Sequence, residues 1–208
     1  MIKFLDKFNI LSKDQFGFRS RFATEHAITD IHEKLLHNLD NGLNSCAIFL
    51  DLAKAFDSVS HKILLDKLYY YGMRGNVYNL LKSYLENRSQ FVKLNDSYSS
   101  LVKIIFGVPQ GSILGPLLFL IFINDLPDAT SFYVKLFADD TFLCAQSKSF
   151  VELENNVNIE LNKVYTWLAS NKLTLNISKS KFMIVTKKRT IPNIRICLNN
   201  NPLQSCDL

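Results

Sequence analysis

Apolar residues recur along this chain with two different periods, and the switches between them mark its elements. Met1 to Leu11 interleaves charged and apolar residues as a short amphipathic piece. From Thr24 onward, Ile28, Ile31, Leu35 and Leu39 fall three or four apart. That is one face of a helix capped by Thr24, running to about Asp40 and stopped before Gly42. Ser45 to Leu52 is instead a continuous apolar run that carries Asp51 at its end. A strand apolar on both faces is a central one. Phe56 and Asp57 follow in a turn. Ser60 caps a helix ending near Gly72, with Ile63, Leu64, Leu68 and Tyr71 inside. The next helix spans about Asn76 to Asn87, on Val77, Leu80, Leu81 and Tyr84.

Gln90 to Leu94 and Ser99 to Phe106 read as strands around an Asn95-Asp96 turn. Gly107-Val108-Pro109-Gln110-Gly111-Ser112 is a loop. Pro116 stands near the start of a hydrophobic helix, where its missing N–H is harmless, and that helix ends by Asp125-Leu126-Pro127. Phe132 to Phe137 and Thr141 to Ala145 are β-favouring runs around Asp139-Asp140, a hairpin with acids at its tip. Phe150, Leu153, Val157, Leu161, Val164 and Leu168 mark one face of a long helix. Leu173 to Leu175 and Phe182 to Thr186 read as strands around the basic turn Ser178-Lys179-Ser180-Lys181. Lys187 to Leu208 reads as a polar tail. The chain has no internal repeat and no low-complexity segment. This order predicts an α+β domain, an antiparallel sheet with helices on one face.

Composition narrows the class. The chain has 208 residues, 48% hydrophobic and 21% charged, which supports a sizeable core and argues against disorder. Lys+Arg 24 against Asp+Glu 19 leaves +5, a balance that suits a polyanionic partner. Cys46, Cys144, Cys197 and Cys206 are scattered, with no Cys-x-x-Cys pair and no Cys/His spacing for zinc. They read as small buried hydrophobes in a reducing compartment. No signal peptide is evident at Met1 to Ile10, and the longest apolar run, Ile113 to Ile123, is too short to span a bilayer. An intracellular protein of nucleus or cytoplasm, neither secreted nor membrane-bound, is expected. The oligomeric state is left open.

Asp139-Asp140 alone also fits a solvated turn. A second acid, Asp51, at the end of a buried strand changes that reading, because an idle carboxylate on so rigid a support is expensive. If the two acidic strands are neighbours, three carboxylates converge. A pair of divalent ions about 3.5–4 Å apart, held so, clamps an in-line phosphoryl transfer. Mg²⁺ suits the oxygen ligands, with Mn²⁺ as a substitute. Adjacent strand residues point to opposite faces, so Asp139 is expected as the ligand and Asp140 as a weaker, partly indirect contributor. Arg19 and Arg21, in the aromatic loop from Gln15, are candidates for phosphates of a nucleic acid, though such a loop is equally a packed surface.

The strings Ile48-Phe49-Leu50-Asp51-Leu52-Ala53-Lys54-Ala55-Phe56-Asp57, Gly107-Val108-Pro109-Gln110-Gly111-Ser112-Ile113-Leu114-Gly115-Pro116 and Phe137-Ala138-Asp139-Asp140 resemble reverse transcriptases in order and spacing. The resemblance is to the non-LTR retrotransposon (LINE) type, jockey-like elements in particular. Gln15-Phe16-Gly17-Phe18-Arg19, Ile123-Asn124-Asp125-Leu126-Pro127 and Trp167-Leu168-Ala169-Ser170-Asn171-Lys172-Leu173 extend it from about Leu11 to Val185.

The resemblance implies a right-hand polymerase palm, its antiparallel sheet backed by helices, with partial fingers and no thumb. A reverse transcriptase domain would cover 1–186 (fingers about 1–44 and 60–106, palm about 45–59 and 107–186), with 187–208 as the tail. It implies RNA-directed DNA polymerisation with RNA template, DNA primer and dNTPs as partners. Asp51, Asp139 and Asp140 match the metal-site acids, Phe56 the steric gate under the incoming sugar, and Gln110 and Gly111 the nucleotide-pocket loop. The amides of Leu52 and Ala53 would face the triphosphate. Lys179 matches a basic residue able to protonate pyrophosphate, or is a solvated turn lysine. Asp57 and Asp125 read as braces of turns, and His61 as a helix-start residue. Members also carry further fingers sequence, a thumb and often an endonuclease domain. The alternative is therefore a truncated, inactive retroelement relic that at most binds nucleic acid. A two-metal nuclease is disfavoured, having no evident use for Phe56 and the Gln110 loop.

Overall fold

The apolar run ahead of Asp51 forms the middle strand of the fold, as its two apolar faces require. The computed structural model describes residues 1–20 and 22–206. The chain opens with α1 (Ile2–Lys7), α2 (Thr24–Asp40) and the middle strand β1 (Asn44–Leu50). A 3-10 turn (Ala55–Ser58), α3 (His61–Tyr70) and α4 (Gly75–Leu85) follow. Short strands β2 (Ser89–Gln90), β3 (Lys93–Leu94), β4 (Ser97–Tyr98) and β5 (Val102–Lys103) make a broken hairpin arm. Next come α5 (Leu114–Ile123), β6 (Tyr133–Phe137), β7 (Asp140–Ser147), α6 (Phe150–Ser170) and β8 (Lys181–Val185). The chain returns through β9 (Cys197–Leu198), β10 (Asn201–Pro202) and β11 (Gln204–Ser205).

The main sheet has the order β11-β8-β1-β7-β6. Its pairings are antiparallel except β11 with β8. One face carries Cys46, Ile48, Leu50, Val134, Leu136, Leu143, Phe182 and Ile184 into the core with α3, α5 and α6. On α6 the predicted stripe Leu153, Val157, Leu161, Val164 and Leu168 is buried. The α5 run is buried all round, Leu118 to Ile123 lying at 0–1% exposure. Each such side chain contributes about 1.5–3 kcal/mol on burial. That far outweighs the roughly 1 kcal/mol penalty of Gly115, while Pro116 in the first turn lacks an N–H that no helical carbonyl needs.

Helices cover both faces rather than one. Ala47, Phe142 and Cys144 face the other way and are packed by Ile31 and Leu35 of α2. A strand apolar on both sides demands this second cover. On α2, Ala27 and Asn38 are buried while Ile28 is 60% exposed, so the buried face sits one residue away from the expected one. Thr24 is the first helical residue, not the cap; Ala23 precedes it, and its N–H is accepted by His26 Nδ1 at 3.0 Å. Ser60 precedes α3 without a side-chain capping bond. On α4 the buried residues are Leu81 and Leu85, and Val77 and Leu80 are exposed.

Three further segments differ from expectation. The two strands expected over 90–106 are interrupted into β2–β5. Leu173 to Leu175 makes only a single bridge, Leu52 with Leu175. The tail is part of the domain, because Ile196, Leu198 and Leu203 are apolar enough to bury against the core and Cys206 N–H bonds the Phe182 carbonyl at 2.8 Å.

Candidate active site

The pairing of β1 with β7 brings the two acidic segments together. Leu50 lies opposite Thr141, so the same register carried one residue further sets Asp51 opposite Asp140. Phe137 pairs with Asp140, leaving Ala138-Asp139 as a two-residue turn between β6 and β7. Asp51 and Asp140 follow and precede Phe49 and Phe142, whose rings meet at 5.3 Å on the face away from the main core. By alternation both acids stand on that face. It is therefore Asp140 that lies directly across from Asp51, with Asp139 beside them in the turn.

The acids interact electrostatically. Burial, then the negative charges of Asp139 and Asp51, push the Asp140 carboxyl above its ordinary range. Among the described residues no three His, Cys, Asp or Glu side chains are gathered tightly enough to grip an ion. The backbones converge at this tip, and like charges so placed raise the energy of the site unless a cation compensates them. An all-oxygen donor set of uncompensated negative charge is what a hard divalent cation neutralises, and the residues fit one.

Asp51 is held by the turn that follows α6. Its N–H donates to Ser180 Oγ at 3.1 Å, and its carbonyl accepts Asn176 N–H at 2.8 Å. Ser180 is fully buried and its hydroxyl bonds the Asn176 carbonyl at 2.9 Å. Lys179 projects from this turn, exposed. The Ala53 amide is not free for a triphosphate, since it donates to the Thr174 carbonyl at 2.8 Å. Leu52, flanked by the two bonds of its bridge to Leu175, turns its own N–H to the opposite side.

Phe56 is half-buried, stacked on Phe119 at 4.5 Å and met edge-on by Phe18 at 6.2 Å. The loop from Gly107 is tied to the same segment. Gly107 N–H bonds the Val59 carbonyl at 2.8 Å, and Val108 N–H the Phe56 carbonyl at 2.9 Å. His61, the first residue of α3, donates from Nε2 to the Gly107 carbonyl at 2.7 Å. Gly107 has φ +87°, and a Cβ there would lie 3.1 Å from the Asp57 backbone. Gln110 is exposed and donates to Asp57 Oδ1 at 2.8 Å, so Asp57 braces the loop as expected. Gly111 is exposed at the loop tip. Asp125 pairs with Lys67 at 2.5 Å, also a brace.

The Gln15 loop runs along the outer edge of β6. Phe16 N–H bonds the Leu136 carbonyl and Leu136 N–H the Asp14 carbonyl, both at 2.8 Å. Lys135 reaches from β6 to Asp14 at 3.1 Å and Asp30 at 3.0 Å. Arg19 is largely committed within the loop. Its Nη1 bonds the carbonyls of Ser12 at 2.7 Å and Gln15 at 3.2 Å, and its guanidinium lies 4.5 Å from the Phe22 ring centre. Arg21 lies outside the described residues. Sequence reasoning passed over Ser180 and Phe49. No sequence signal marks Ser180, but alternation along β1 places Phe49, 43% exposed, on the side of Asp51.

The family profile described as reverse transcriptase (RNA-dependent DNA polymerase) matches residues 1–196. The chain is 30% identical over 197 residues to the probable RNA-directed DNA polymerase from transposon X-element of Drosophila melanogaster, covering 92% of this chain and 22% of that protein. It is 31% identical over 177 residues to the RNA-directed DNA polymerase from mobile element jockey of the same organism, covering 81% and 19%. The chain thus spans about a fifth of the length of these relatives. Among solved structures, telomerase from Candida albicans in complex with a telomeric RNA fragment superposes with a TM-score of 0.64 at 15% identity, over 93% of this chain and 34% of that one. The jockey-like resemblance of the motifs and the palm-like α+β fold are borne out, and the chain belongs to the reverse transcriptase family of RNA-dependent DNA polymerases.

Proposed function

We propose that this chain carries out RNA-templated DNA synthesis. A primer 3′-oxygen forms a bond to the α-phosphorus of a dNTP, and the bond to pyrophosphate breaks. The observation that carries this reading is the β1–β7 register, which sets Asp51 across from Asp140 and beside Asp139. Members of this family use divalent metal ions. Here Asp51, Asp139 and Asp140 would hold Mg²⁺, as a pair of ions that Mn²⁺ can replace, and the bound metal supplies charge stabilisation at the attacking and leaving oxygens.

The chain's own residues do the rest. Phe56, fixed between Phe119 and Phe18, is a wall against a 2′-hydroxyl. The Leu52 N–H is a donor toward the triphosphate. Gln110, oriented by Asp57, and Gly111 border the nucleotide. Lys179, on the turn that holds Asp51, gives its proton to the departing pyrophosphate. The free side of the Arg19 guanidinium, with Arg21, meets template or primer phosphates.

The test is extension of a DNA primer on an RNA template by the purified chain, in Mg²⁺ and then Mn²⁺. Synthesis lost in Asp51→Asn and in Asp139→Asn is expected. Undiminished synthesis by the double variant would overturn the assignment. Salt-sensitive binding to primed template with no synthesis would identify a nucleic-acid-binding relic instead.

A further inference from the structure

We infer that Gln15 is a positioning residue for the acids at the β6–β7 tip. The inference rests on the reading of Asp139 and Asp140 as metal ligands. Gln15 is 1% exposed and more than a hundred residues away in sequence, yet its side chain grips the residue just before Asp139. Gln15 Oε1 accepts the Ala138 N–H at 3.0 Å, and Gln15 Nε2 donates to the Ala138 carbonyl at 3.4 Å. The same Oε1 accepts Gly17 N–H at 2.7 Å, which locks the amide's orientation. Both peptide groups of Ala138 are thereby held, and the plane of the second leads directly into Asp139.

The turn needs such a hold. Ala138 has φ +57°, a left-handed conformation that an alanine leaves readily unless its surroundings fix it. Gly17 serves the same contact, because a Cβ there would lie 2.2 Å from the Ala138 nitrogen. A loop that shields an edge strand needs neither a buried amide side chain nor so close an approach. Glutamine suits the place chemically. It offers donor and acceptor at once, and unlike glutamate it adds no negative charge beside three carboxylates.

The test measures metal binding and local protection separately. Mn²⁺ alone is titrated into the wild-type chain, Asp139→Asn and Gln15→Leu, free Mn²⁺ being followed by electron paramagnetic resonance. Amide hydrogen exchange is read at Ala138 and at Leu161 in the α6 core. The expected result is Mn²⁺ binding by the wild type that is lost in Asp139→Asn. In Gln15→Leu it is weakened about tenfold or more, with Ala138 exchange accelerated and Leu161 unchanged. If Gln15→Leu does not unfold cooperatively, Gln15→Asn, one methylene too short, is measured in its place with the same expectation. Wild-type affinity in these variants, even with a lowered melting temperature, would overturn the positioning role and leave the metal-site reading standing. A wild-type chain that binds no Mn²⁺ would overturn that reading and this inference together.

Discussion

Ser180 accepts the main-chain N–H of Asp51 on its hydroxyl, 3.1 Å away, in a place where Ser180 has no exposure to water. Ser180→Ala leaves that part-buried amide without its partner, and a stranded donor destabilises by up to about 1–3 kcal/mol. Urea unfolding should show a lower midpoint with an unchanged slope. An unaltered midpoint would mean that the amide finds water or another acceptor, and that the turn after α6 does not fix Asp51.

Phe56 should decide which sugar enters. Phe56→Val removes most of the ring that Phe119 and Phe18 hold in place, and incorporation of ribonucleotides relative to deoxynucleotides should rise. Contacts of this size discriminate by about 10–200-fold. Competition between dNTP and rNTP in single-nucleotide extension measures the ratio. Stability should fall by less than the roughly 3–5 kcal/mol of a full core Phe→Ala truncation, because the ring is only half-buried.

Gly17→Ala should be felt despite its small size. The added carbon meets backbone, 2.2 Å from the Ala138 nitrogen, and neither side can swing away as a side chain would. Overpacking of this kind destabilises by about 1–3 kcal/mol. A lowered melting temperature is expected, with faster exchange of the Phe16 and Leu136 amides. Unchanged exchange there would show that the loop can shift as a body without leaving the strand.

Glu160 should make the fold sensitive to acid. Burial alone would raise its carboxyl, but the bond from Lys163, the Ser131 N–H and the Thr130 hydroxyl together hold it down at about 2, from an ordinary 4.5. The folded value lies below the unfolded one. Its stabilisation is therefore present in full above the unfolded value and is lost as pH falls from there through the folded value. Glu160→Gln should unfold more easily than the wild type at neutral pH, and the gap should close in acid. Paired urea titrations across that range measure it, and a constant gap would assign the effect to shape rather than charge.

The long periodic elements were legible in the sequence, since α6 shows its stripe over many turns and β1 its two apolar faces. The acidic hairpin was legible because its two β-favouring runs flank the acids symmetrically. Faces of α2 and α4 were misjudged by a fraction of a turn. Their apolar residues outnumber the places to bury them, and only the tertiary partner selects Ala27 over Ile28 or Leu85 over Val77. The Ala53 amide looked available because a linear sequence does not show that Thr174 returns to meet it. Ser180 escaped notice for the same reason, and Gln15 was legible only as the first residue of a family string. What each does comes from a backbone group far away along the chain.

The two flanks of the main sheet bear on how the chain behaves at high concentration. The outer side of β6 is occupied by Asp14 and Phe16, and the far flank ends in β11, only two residues long. A sheet grows into fibrils by offering a long row of unsatisfied peptide groups to a neighbour. Here Leu136 already gives both its peptide groups to the Gln15 loop, and β11 covers Lys181 and Phe182, so each flank offers a neighbouring chain a shorter row than its strand is long.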